Sequence, residues 1–129
     1  MENHGFIEPK RKVNDYVFGA VTAVPDAIII PNGDWEPFLP IYEPQSSTFD
    51  TMACVSYSSL NCLETLGNFY ARQSNFSDRF TSKMSGTTRY GNDFTTVGDS
   101  IRRDHGTLPE EDWPFTAQNW EEYYATVPL

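Results

Sequence analysis

The sequence predicts a mainly α-helical unit over residues 50–129, preceded by an irregular, proline-rich N-terminal strap over residues 1–49 that packs on it. Three observations predict it. Prolines at 9, 25, 31, 37, 40 and 44 forbid long helices early in the chain, because proline lacks a backbone donor and clashes with the preceding turn. From Asp50 to Arg72 there is no proline and one glycine, Gly67, while Leu63, Leu66 and Tyr70 recur at helical spacing. After that, small polar residues stand before each apolar stretch, where helix caps belong.

The elements follow in order. Val21 to Val24 and Ala27 to Ile30 suit short strands, with Asn32-Gly33 as a turn signal. Trp35 to Pro44 alternates bulky apolar residues with prolines, as in a strap whose side chains plug into a core built elsewhere. The central helix is expected from Asp50 or Thr51 as cap, with Cys62 and Phe69 joining Leu63, Leu66 and Tyr70 on one apolar face. Ser77 is placed to cap a short helix through Met84. The Ser85–Asn92 loop carries Gly86 and Gly91, and Asn92 or Asp93 is placed to cap a helix with Phe94, Val97 and Ile101 on one side and Gly106 at its end. Thr116 is the expected cap of a last helix bearing Trp120, Tyr123 and Tyr124.

Composition narrows the function. The 129 residues fit one domain, with 39% hydrophobic and 21% charged residues, a globular balance. The formal net charge of -9 argues against a nucleic-acid surface, which needs clustered Lys and Arg. The basic run Lys10-Arg11-Lys12 lies between Glu8 and Asp15 and reads as a solvated flank. No signal peptide is visible, and the longest apolar run, Ala27-Ile28-Ile29-Ile30, is too short to span a bilayer. No membrane, metal or cofactor is implied.

The two cysteines, Cys54 and Cys62, are eight residues apart. On one helix that spacing gives about 12 Å of rise, beyond the roughly 7 Å a disulfide tolerates. Cys62 is expected to be packed. Cys54 is expected in the first turn of the central helix, where free N–H groups and the dipole favour a thiolate and donate to an oxyanion beside it. Ala53 and Ser56 would let a substrate backbone approach. A buried structural cysteine is the competing reading.

The ordered segments resemble the papain-like cysteine peptidases, in the N-terminal, helical half of that α+β domain. Asp34-Trp35, Pro40 to Gln45 and Ala53-Cys54-Val55-Ser56-Tyr57-Ser58 are similar to that family's glutamine, loop and cysteine-bearing helix start. Asn75 to Phe80 is similar to its next short helix. Gly91 to Ile101, then His105 to Phe115, are similar to its glycine-rich loop, helix and Tyr-Pro-Tyr ending. The wording is also similar to divergent versions encoded by tailed bacteriophages. The resemblance implies Cys54 as nucleophile and Gln45 as the side chain of the oxyanion hole. Two departures accompany it: Gln45 lies nine residues before Cys54, a longer gap than usual, and Val55 stands where an aromatic is common.

A cysteine peptidase also needs a base. In papain-like enzymes the histidine and asparagine follow the cysteine by roughly 130–150 residues. Here 75 residues follow Cys54, His4 lies at the N-terminus, and His105 reads as a helix C-terminal residue favoured by the dipole. Glu110-Glu111-Asp112 reads as a solvated helix start, and Asn75-Phe76-Ser77 matches a glycosylation sequon without a secretion signal.

Three functions fit. The first is a peptide- or amide-hydrolysing enzyme whose β-rich C-terminal half comes from a downstream segment or a partner, acting on a phage structural protein or a cell-wall crosslink. The second is a catalytically incomplete structural or interaction module beside another virion protein, with Trp113, Trp120, Tyr123 and Tyr124 as interface. The third is a regulator that binds a host enzyme. Virion or host cytoplasm is the expected setting.

Overall fold

The computed structural model describes residues 5–10, 13 and 29–125. Over these residues the protein is mainly helical, with isolated β-bridges and no strand. The strands expected at 21–24 and 27–30 lie outside the described residues except for Ile29 and Ile30, which form a bend. Asn32-Gly33 does turn the chain: Gly33 has φ 70 and donates to the Ile30 carbonyl at 3.0 Å.

Among the described residues, four α-helices carry the fold: α1 (Cys54–Phe69), α2 (Asp78–Met84), α3 (Phe94–Asp99) and α4 (Trp120–Tyr123). A π-helical turn, Ser100–Asp104, continues α3, and 3-10 turns occupy Glu36–Phe38 and Glu110–Asp112. Helix α1 touches α2, α3 and the first 3-10 turn, so it organises the rest.

The buried side of α1 is not the expected one. Val55, Ser56, Tyr57, Leu60 and Glu64 face inward, whereas Leu63, Leu66 and Tyr70 are exposed. Those exposed side chains line a groove of about 720 Å³ with Phe76. Sequence periodicity selected the more apolar stripe, but the inward stripe contains small and polar residues that close packing against α2 and α3 accepts. Cys62, expected inside, is also exposed.

The first turn of α1 has no side-chain cap; Ala53 is the N-cap, and neither Asp50 nor Thr51 takes that role. The helix ends with Ala71 in the left-handed region at φ 56. There Ala71 N–H donates to the Asn68 carbonyl and Arg72 N–H to the Gly67 carbonyl at 2.8 Å, the paired bonds of a Schellman ending.

The other caps lie mostly where expected. Ser77 Oγ accepts from Phe80 N–H at 3.1 Å, and Asp93 accepts from Thr96 N–H at 2.9 Å. Gly106, at φ 74, closes the π turn by donating to the Ser100 carbonyl. The last helix differs: Asn119, not Thr116, caps it through a 2.9 Å bond from Glu122 N–H.

Trp113 and Tyr123, expected on an interface, are instead core residues at 4% and 0% exposure. Arg79 explains their position. Its guanidinium stacks over both rings and donates to the carbonyls of Tyr123 (2.8 Å), Glu122 and Pro114, so α2 holds the C-terminal segment from beneath. Phe49 completes the cluster against Phe115 and Tyr123. From the first 3-10 turn, Trp35 and Phe38 pack on Phe69, and Asn68 Nδ2 ties the Phe38 carbonyl to α1 at 3.0 Å. Beyond that anchor, Leu39, Ile41 and Tyr42 stay exposed, so the segment from Leu39 to Tyr42 plugs in less than its apolar composition predicts.

Candidate functional site

Cys54 is the first residue of α1 and is partly exposed. The loop before it is fixed by Asp50, which accepts from Met52 N–H at 2.8 Å and from Gln45 Nε2 at 3.4 Å. Thr51 N–H donates to the Gln45 carbonyl at 3.3 Å, and the Tyr124 hydroxyl donates to the Thr51 carbonyl at 2.8 Å. The loop therefore brings Gln45 to the residues that lead into α1, despite the long sequence gap.

Met52 has φ 58, a left-handed conformation that costs an L-residue roughly 1–2 kcal/mol. Gly5 lies against its carbonyl so closely that a Cβ on Gly5 would overlap it. Gly91 in turn lies against Gly5, and Asn92 N–H donates to the Gly5 carbonyl at 2.8 Å. Three segments thus hold one strained residue two positions before Cys54. Strain of this kind persists where the surroundings over-determine it, as at catalytic loops.

The thiol itself is not primed as the helix start alone predicts. Burial pushes Cys54 above the ordinary thiol range; the Val55 N–H pulls the other way, and the Asp50 carboxylate adds to the rise. Ala53 and Ser56, expected to line an open approach, face inward at 1% and 0% exposure. His105 is at the end of the π turn, with Nδ1 3.1 Å from Ser100 Oγ, while His4 lies outside the described residues. Among the described residues no group of three His, Cys, Asp or Glu is placed to hold a metal ion, and no helix is long and apolar enough to cross a membrane.

A second constellation adjoins the first and was not anticipated. A pocket of about 280 Å³ is lined by Glu43, Ser47, Tyr57, Asp78, Glu110 and Phe115, among others. Burial, then the nearby Glu43, Glu64 and Glu110 carboxylates, push Asp78 up to about 9. Burial, opposed by a bond from Phe115 N–H and aided by Glu43 and Glu64, pushes Glu110 up to about 7. Glu64, also raised by burial, accepts from Phe76 N–H at 2.6 Å. Glu110 was expected in solvent and is half-buried instead; only its neighbours Glu111 and Asp112 match that expectation. One signal was available in the sequence: Glu64 follows Tyr57 and Leu60 at helical spacing, which places a carboxylate on the buried side.

Comparison with protein-family models, curated proteins and solved structures finds no match.

Proposed function

We propose that this chain is the nucleophile-bearing half of a papain-like cysteine peptidase, with Cys54 as nucleophile and Gln45 in the oxyanion hole. It is inert until a histidine and asparagine arrive from a further segment or a partner chain. The observation that carries the reading is the loop from Gln45 to Cys54. It sets a partly exposed thiol at the start of α1, two positions after a strained residue, and the Gln45 amide bonds to Asp50 in the same loop. In the completed enzyme the histidine would take the thiol proton, sulfur would bond to the amide carbonyl carbon, and the amine would leave with that proton. Water then releases the acyl group.

The raised thiol favours one alternative, a catalytically incomplete structural or interaction module in which Cys54 is only packed. The pH dependence of Cys54 alkylation separates the two. The peptidase reading predicts a protonated thiol at neutral pH in the isolated chain, and an apparent pKa below about 7 in the species isolated from the cells that make it, as histidine pairing produces. An unchanged, raised value in both preparations would leave the module reading.

A further inference from the structure

The pocket between the Leu39–Asp50 segment, α1, α2 and the second 3-10 turn is built around uncompensated carboxyl groups. Asp78 lines it, is 6% exposed, and has one oxygen, Oδ1, that accepts no hydrogen bond. Its close neighbour is the Glu43 carboxyl, which is able to share a proton with it but not to neutralise it. Among the described residues the other acids accept from neutral donors: Asn75 Nδ2 to Glu43 at 2.8 Å, Phe76 N–H to Glu64 and Phe115 N–H to Glu110.

No ion pair among the described residues involves any of the four. Arg79 is the cation facing Glu110 and pulls it down, the smallest of the influences on it; its recorded bonds go to the carbonyls of Pro114, Glu122 and Tyr123. The remaining titratable neighbours, Tyr57 and Tyr123, are held protonated by burial. A buried carboxyl without a counter-charge is expensive, and a matching cation removes the expense.

We infer that this pocket binds the head of a basic side chain or a free organic amine, an ammonium or guanidinium entering between Glu43, Asp78 and Glu110. Its volume of about 280 Å³ suits a head group and short aliphatic stem rather than a larger ligand. Tyr57, Phe115, Pro44 and Pro114 provide apolar walls for the stem, and aromatic rings attract a cation at their faces. A metal is the less suited occupant, because no three acidic, His or Cys groups among the described residues converge at ligand spacing. The raised Asp78 and Glu110 carboxyls mean that the cation enters with proton release near neutral pH. The net charge of -9 draws cations toward the molecule. The inference stands whether or not Cys54 is a nucleophile.

The test is a titration of the whole chain at pH 7.5, followed by amide chemical shifts and by calorimetry in two buffers of different ionisation enthalpy. Agmatine represents the free amine, Nα-acetyl-arginine methylamide the side chain within a peptide, and the corresponding citrulline amide the neutral control. The expected result is saturable binding of a cationic probe that shifts Tyr57, Asp78 and Glu110, with proton release. Glu110→Gln, which keeps an acceptor for Phe115 N–H, should weaken binding by about tenfold or more; Glu43→Gln provides a second variant if that one is poorly folded. Binding of agmatine alone assigns a free amine, and binding of the flanked arginine assigns a peptide. Absence of saturable shifts, or an equal response to the citrulline amide, would overturn the inference and leave a proton-sharing Asp78–Glu43 pair.

Discussion

Three residues shape the loop that leads into Cys54. Met52 holds the left-handed turn, Gly5 supports its carbonyl, and Gly91 leaves room for Gly5. Gly91 has φ 96 and lies against the Gly5 carbonyl, so an added methyl has neither a relaxed backbone nor space. Gly91→Ala is expected to destabilise the protein by about 2–4 kcal/mol, combining left-handed strain with overpacking. Urea denaturation checks this, and an unchanged midpoint would show that the Gly5 segment does not buttress the loop. The place of Cys54 in the first turn of α1 was legible from the proline-free helical stretch it opens. The strain at Met52 was not, because it arises from segments far apart in sequence.

At the scale of elements, local signals and tertiary contacts divide cleanly. Ser77 and Asp93 were legible as caps because a cap bonds to an N–H three residues away. The orientation of α1 was not legible, because it is set by packing on α2 and α3 and by distant partners such as Phe76 N–H, which bonds Glu64, while the apolar stripe of Leu63, Leu66 and Tyr70 stays outside. The C-terminal aromatics misled for a related reason. Tyr123 and Trp113 are buried because Arg79 pins the backbone around them, a long-range clamp without a sequence signature. Arg79→Ala should cost about 3 kcal/mol or more, since it orphans buried carbonyls and removes stacking on two rings. Arg79→Lys should recover little of it, because an ammonium cannot span the same acceptors. Equal stability of the lysine variant and the parent would contradict this clamp.

For the whole molecule, the buried acids couple stability to pH. Asp78 is raised from 3.8 to about 9 and Glu110 from 4.5 to about 7, so the folded state retains protons that the unfolded chain gives up. Their stabilising contribution is complete below about pH 4 and is lost as pH rises through 7 and toward 9. The urea midpoint should therefore fall from pH 5 to pH 9, and Asp78→Asn should flatten that fall. A midpoint that rises over this range would contradict the burial of these groups. The mainly helical class was legible because prolines and apolar spacing act locally; the acidic pocket was not, because Glu43, Asp78 and Glu110 come from three separate segments.

The central claim concerns Cys54, and covalent labelling by a peptidyl epoxide, located by peptide mapping, tests it most directly. The isolated chain should resist the reagent at pH 7. The species recovered from the cells that make the protein should be labelled at Cys54 and not at the more exposed Cys62, with labelling blocked by competing peptide. Labelling confined to Cys62 in the native species, or none at Cys54 under any condition, would contradict the assignment of Cys54 as a nucleophile.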